Sequence, residues 1–279
     1  MKKSILFWFL AFLLTLFSAV FQRITGPTYP LKGKVKIENK IIKYTLERNH
    51  SGKEDHKVSI KTENDEITGI VFYKRYKTDD KWQRIDMKYE NGLLIAKLPH
   101  QPPAGKLEYK VVLIKDTTKI FIPEEGSVII RFKGDVPSSI LIPHILFMFL
   151  AMLFSTRAGL EYFNKEKKFK SLVILTLLFL FVGGFILGPL MQYFAFGEWW
   201  TGFPLGFDLT DNKTLIAFLF WIFALYKIVK SIKADKWVLI ASIVTFVVYL
   251  IPHSLLGSEL DYSKFNKQQI QLEQTKKNL

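Results

Sequence analysis

Residues 4–21, SILFWFLAFLLTLFSAVF, form an apolar run without a charge, directly after Lys2 and Lys3. A helix rises about 1.5 Å per residue, so a run of this length comes near the ~30 Å of a bilayer's hydrocarbon layer. Four further runs share the character: 140–155, 172–191, 215–229 and 237–251. A bilayer offers the backbone no hydrogen-bond partner, so these runs predict about five transmembrane helices. The first run reads as a signal peptide or an N-terminal anchor. Its best cleavage pair, Phe17 and Ala19, contains a residue too large for the site, which favours the anchor.

Between the first and second runs the sequence changes period. Short segments with β-branched and aromatic residues occur at 32–37, 41–46, 57–61, 67–74, 82–88, 92–98, 106–114, 118–122 and 128–132. Several alternate apolar and polar residues, as at Leu107, Tyr109 and Val111, and turn residues such as Asn91-Gly92 and Pro102-Pro103-Ala104-Gly105 separate them. This pattern predicts an antiparallel β-sandwich. The expected fold is therefore an α+β membrane protein: a 1–24 transmembrane anchor, a β-sandwich at 30–134, a four-helix transmembrane region at 138–254 and a polar tail at 255–279.

Loop charge predicts sidedness. Arg157, Lys165, Lys167, Lys168 and Lys170 follow the second run, and Lys227, Lys230, Lys233 and Lys236 follow the fourth. The loop between the third and fourth runs, 192–213, carries only Lys213 against Glu198, Asp208 and Asp211. The basic loops are expected in the cytoplasm. The β domain, the 192–213 loop and the tail are expected outside a bacterial inner (cytoplasmic) membrane.

The formal net charge is +14. The lysines are scattered through expected strands without a nucleic-acid signature, so lipid and an envelope protein are the expected partners, with no nucleic acid. The chain has no cysteine, which excludes disulfides, thiolate metal sites and a covalent c-type haem link. No phosphate-binding glycine loop, HExxH motif or nucleophile elbow is present.

The topology brings one constellation to the outer side. His144 follows Pro143 at the start of the second span, and His253 follows Pro252 at the end of the fifth. Trp199, Trp200, Asp208 and Asp211 lie in the loop between them, with Asp211 placed to cap the next helix. Imidazoles suit haem iron or a transition metal, paired indoles offer a plate for a porphyrin, and the carboxylates can complete a metal shell. Gly183, Gly184, Gly188 and Pro189 suit close helix packing. His50 and His56 occupy a polar stretch expected to be a solvated loop, and His100 a proline-rich turn.

Two resemblances attach to these residues. Val71-Phe72-Tyr73-Lys74-Arg75, Trp82, Met87, Leu98-Pro99 and Gly105-Lys106-Leu107-Glu108-Tyr109-Lys110-Val111 resemble immunoglobulin-like or fibronectin type III domains of bacterial exported proteins, which implies a sandwich fold. Trp199, Trp200, Asp208, Asp211 and Lys213, leading into Leu215-Ile216 and Trp221 and flanked by His144 and His253, resemble the layout of haem-handling membrane proteins of cytochrome c assembly. That layout implies haem ligation by the two histidines. Here Phe207, not a tryptophan, precedes Asp208. The turn Leu98-Pro99-His100-Gln101-Pro102-Pro103 is similar to one in bacterial envelope membrane proteins. Three functions follow as expectations: docking of a partner by the β domain, haem or metal binding at His144 and His253, and membrane-interface catalysis by Glu198, Asp208 and Asp211.

Overall fold

The computed structural model describes residues 2–38, 40–230, 233–253 and 259–266. They form two units: a helical one, Met1–Pro27 with Val136–Ser258, and a β unit, Thr28–Asp135 with Glu259–Leu279. The tail expected to be a separate polar segment therefore contributes residues 259–266 to the β unit.

The helical unit contains α1 (Lys2–Thr25), α2 (Ser138–Leu160), α3 (Lys170–Phe181), a π-helical stretch Val182–Leu187, α4 (Gly188–Phe196), α5 (Leu209–Val229) and α6 (Ala234–Leu250). Among the described residues, four helical stretches are long and apolar enough to cross a membrane: Lys3–Thr25, Ser138–Phe163, Lys170–Phe196 and Leu209–Val229. The fifth expected span is α6, which has only 17 residues.

Small residues and buried polar bonds set the packing. A side chain at Gly159 would lie 2.6 Å from Ser242 Cβ, so α2 and α6 touch there through glycine. Gly183 faces Met148 and Gly184 faces Thr214 in the same way, as the sequence implied. Trp221 is fully buried, and its Nε1 donates to Thr245 Oγ1 at 2.8 Å.

Side chains tie the helices together at both ends. At one end Lys3 donates to the Phe163 carbonyl, Lys167 pairs with Asp235, and a buried Arg157–Glu161 pair closes at 2.6 Å. Arg157 was expected in a basic loop, but it lies within α2. At the other end Gln22 donates to the Tyr249 and Ile251 carbonyls, and Lys213 donates to Ile251 as well. Short as it is, α6 thus joins both ends of the unit, from Asp235 to Ile251.

Among the described residues the β unit has eleven strands: β1 (Leu31–Ile37), β2 (Lys40–Leu46), β3 (Asn49–Ser51), β4 (His56–Lys61), β5 (Thr68–Arg75), β6 (Gln83–Asp86), β7 (Lys88–Glu90), β8 (Leu93–Leu98), β9 (Lys106–Lys115), β10 (Thr118–Ile122) and β11 (Val128–Lys133). The largest sheet runs β3-β11-β9-β5-β6, with β10 also on β9. A three-stranded sheet runs β4-β8-β7, and β1 pairs with β2. One apolar core, including Leu46, Ile60, Val71, Leu98, Tyr109 and Phe132, draws on all three sheets.

Two features depart from the sequence reading. The largest sheet is mixed, because β3 runs parallel to β11, while the other two sheets are antiparallel. The expected strand 82–88 breaks at Met87, whose amide donates to the Gly69 carbonyl while its side chain enters the core. Before Met87 the chain pairs with β5, and after it with β8.

Candidate functional site

The end of the helical unit that carries Lys213 holds every residue singled out for cofactor or metal binding. Helix α5 begins where Asp208 Oδ1 accepts from the Thr210 amide at 2.8 Å. Asp208, not Asp211, is therefore the cap. Asp211 sits in the first turn and accepts from the Thr201 amide at 2.8 Å. With its amide oxygen turned to Thr201 Oγ1, the orientation that matches donors to acceptors, Gln192 donates to Asp211 Oδ2 at 3.1 Å. Asn212 Oδ1 accepts from the Phe203 amide at 2.7 Å. A side chain at Gly202 would lie 2.6 Å from Asp211 Cβ, so glycine there lets the loop close onto α5. Asp211 thus ties the loop to its helix.

The indoles also have neighbours. Trp200 stacks on Phe185 at 5.6 Å and donates to the Phe203 carbonyl at 3.1 Å. Trp199 stacks on Tyr193 at 4.4 Å. Beyond them the loop exposes Phe203, Leu205 and Phe207, the last of them 91% exposed.

His144 donates through Nδ1 to the Gly183 carbonyl at 3.0 Å, which leaves its Nε2 with a lone pair. The π-helical stretch brings the Gly188 amide to the same carbonyl. His253 differs. Its Nδ1 accepts from the Lys213 ammonium at 3.0 Å, so the neutral ring carries its hydrogen on Nε2. Its residue surface is exposed although protein atoms crowd the ring. That crowding, the Lys213 charge and then His144 push its pKa down to about 3.

This arrangement bears on the expected ligands. To give a metal an Nε2 lone pair, His253 must carry hydrogen on Nδ1, where it would meet the N–H of Lys213. Ligation through both histidines therefore requires Lys213 to move or to give up a proton. Among the described residues no three His, Cys, Asp or Glu side chains gather to hold a metal ion. Asp208 and Asp211 are engaged by the backbone at the start of α5, so the four residues His144, His253, Asp208 and Asp211 do not form one donor set. Lys213, 4% exposed, is the group whose role the sequence left unread. A lysine five residues into a helix gives no hint that it reaches the Ile251 carbonyl at the end of another.

The β unit holds a second cluster. His56 Nδ1 lies 3.2 Å from His50 Nδ1, and His50 Nε2 donates to the Glu54 carbonyl at 2.7 Å. Since the carbonyl only accepts, His50 Nδ1 is the acceptor for the N–H of His56. The rings of His50 and His100 pack on Phe132 at 5.3 and 5.7 Å. His50 and His56, expected in a solvated loop, are packed against each other instead.

A third feature is the outward face of the largest sheet. Alternation on β9 sends Leu107, Tyr109, Val111 and Leu113 into the core and Glu108 and Lys110 outward. Phe72 lies opposite Lys110 on β5, and Phe121 opposite Val112 on β10. Trp82 lies just before β6, with the ammonium groups of Lys74 and Lys110 at 5.4 and 4.9 Å from its ring. Lys110 also lies 6.0 Å from the Phe121 ring. Trp82 and Phe121 remain 38% and 46% exposed. The period-two pattern around Lys110 carried this signal in the sequence; the position of Trp82 depends on the turn before β6.

No family model matches the chain, and no curated protein matches it. Among solved structures, the crystal structure of the FN1–FN3 domains of chicken CNTN1 is similar over 34% of this chain, at 16% identity and a TM-score of 0.23. The chain spans 38% of the length of that structure's chain.

Proposed function

We propose that this chain is an integral protein of the bacterial cytoplasmic membrane that presents an immunoglobulin-like sandwich outside the cytoplasm to dock an acidic protein partner. The observation that carries the reading is Lys110, flanked by the exposed rings of Trp82 and Phe121. Tryptophan is among the side chains that dominate binding energy at protein interfaces, and a cation over an exposed ring adds about 0.5–1 kcal/mol. The partner is acidic because Lys74, Lys110 and Arg84 stand on this face, with Glu108 and Asp86 as their acidic neighbours.

The membrane reading is supported by the four apolar helical stretches and by α6 joining both ends of the unit. Chain connectivity supports α6 as a fifth crossing. Residues 135 and 259 both belong to the β unit, so an even number of crossings lies between them. The three stretches at Ser138–Phe163, Lys170–Phe196 and Leu209–Val229 make three, and α6 makes the fourth. The lysines around 165–170 and 227–236 support placing that end in the cytoplasm.

Photocrosslinking tests the docking face. A benzophenone residue at Arg84 is expected to trap one partner in cells. Lys74→Glu with Lys110→Glu should weaken the capture about tenfold or more, since like charges facing an acidic partner cost on the order of 1.4 kcal/mol or above. Capture undiminished by the charge reversal, or full function after deletion of residues 31–133, contradicts the reading.

A second reading, haem or metal binding, is favoured by one observation: His144 donates through Nδ1 to the Gly183 carbonyl and so turns an Nε2 lone pair towards a ligand. Lys213 opposes it for the tautomeric reason given above. A Soret band on haem loading, or metal by elemental analysis, each lost in the His144→Ala, His253→Ala variant, would support it.

A further inference from the structure

The β unit holds a groove that its own chain fills. One wall is the turn after β5, with Arg75, Lys77 and Thr78; the other is the turn into β9, from Gln101 to Lys106. Residues 259–266 lie between them. Tyr262 is 5% exposed, with its ring beneath the Arg75 guanidinium at 5.0 Å. Its hydroxyl accepts from the Lys106 amide at 3.0 Å and donates to Gln101 Oε1 at 3.0 Å. Glu259 pairs with Lys77 at 3.0 Å and Lys106 at 2.6 Å. The Leu260 amide donates to the Ala104 carbonyl at 3.1 Å.

Two observations separate the groove from its occupant. First, the walls are held by bonds of their own. Asp80 grips Arg75 through two hydrogen bonds of 2.6 and 3.0 Å, and Thr78 Oγ1 donates to the Arg75 carbonyl. The Gln101 amide donates to the Pro99 and His100 carbonyls. Second, the floor is set by the wall itself: a side chain at Gly105 would lie 2.8 Å from the Pro102 carbonyl oxygen and 2.9 Å from Gln101 Cβ, as well as 3.0 Å from the Tyr262 hydroxyl. The occupant, by contrast, rests on one buried ring with its hydroxyl hydrogen bonds, one backbone hydrogen bond to the turn at Ala104, a hydrogen bond from Arg75 to Asn266 and partly exposed ion pairs. Exposed pairs contribute little, and ordering eight residues opposes them. Beside the segment a cleft of about 520 Å³ stays open.

We propose that this groove is a peptide-binding site for acidic segments bearing a tyrosine three residues after a glutamate, and that residues 259–266 are its exchangeable resident. Arg75 reads the ring, the Lys106 amide and Gln101 read the hydroxyl, and Lys77 and Lys106 read the carboxylate. The resident competes with any partner segment, so the apparent affinity for an added peptide falls by the fraction of open groove.

The test uses the full chain in detergent micelles and the labelled peptide Glu-Leu-Asp-Tyr-Ser-Lys-Phe-Asn. The Tyr262→Ala chain should bind this peptide at least about tenfold more tightly than the unaltered chain, because the resident has lost its anchor. Glu259→Gln, which keeps the tyrosine, should give an intermediate gain. A peptide with phenylalanine for tyrosine should bind more weakly, and Arg75→Met in the Tyr262→Ala chain should abolish binding. No binding to either opened chain, or binding unaffected by Arg75→Met, overturns the proposal. Lys74→Glu with Lys110→Glu should leave peptide binding unchanged, so this site fails or stands separately from the sheet-face reading.

Discussion

Replacing Glu161 by alanine is expected to destabilise the helical unit by about 3–5 kcal/mol. The reason is what Glu161 leaves behind. The Arg157 guanidinium is buried beneath the rings of Phe7 and Trp8 at 5.6 and 5.5 Å. Its Nη1 donates to Glu161 at 2.6 Å, and its Nε has no partner among the described residues. The carboxylate also accepts from Asn164 Nδ2 at 2.7 Å and from the Lys168 amide at 3.2 Å. Alanine would strand a buried cation and free the turn that leads into α3. Removing both charges avoids the stranded ion, so Arg157→Met with Glu161→Leu should recover most of the loss. Thermal denaturation in detergent measures both. A double variant no more stable than Glu161→Ala would show that the pair is not the cause.

Acidification from pH 7 to pH 4 is expected to cost the β unit about 3 kcal/mol through His56. Burial, and then the charge of His50, hold its pKa down from the ordinary 6.5 to about 4. A depressed imidazole favours the folded state while it is neutral. Its contribution is complete above pH 6.5 and is lost as pH falls towards 4, because the unfolded chain binds the proton more readily. The geometry agrees with the sign: His50 Nδ1 accepts from His56, and a proton added there would set two N–H groups against each other. Denaturant titrations of the chain across this range should show a falling midpoint, flattened in His56→Gln. A His56 imidazole titrating near 6.5 by NMR, or an equal acid loss in His56→Gln, contradicts the assignment.

What the sequence disclosed was periodicity. Apolar runs marked the helices and alternation marked most strands, because each reports which face meets water or lipid. The features it hid depend on long-range pairing. Strand β3 has three residues, Asn49–Ser51, and owes its existence to β11. The break at Met87 follows from a change of sheet that no local pattern signals. Helix capping was assigned three residues late, since Asp208 and Asp211 are equally good caps until the loop is placed. The candidate site followed the same rule. The histidines, carboxylates and tryptophans did gather at one end of the helical unit, as topology required. Their partners Gly183, Lys213, Thr201 and Phe185 turned most of them towards structural roles. The tail looked polar and unattached because Tyr262 is a single anchor in a charged stretch.

If α6 is a fifth crossing, as we propose, residues 124 and 264 lie on one side of the membrane and residue 166 on the other. The chain has no cysteine, so a single introduced thiol reports without background. Glu124, Glu166 and Lys264 are all exposed. With a membrane-impermeant maleimide on intact spheroplasts, Glu124→Cys and Lys264→Cys should label, and Glu166→Cys should label only after permeabilisation. Labelling of Glu166→Cys together with Glu124→Cys, or protection of Lys264→Cys, would contradict the account.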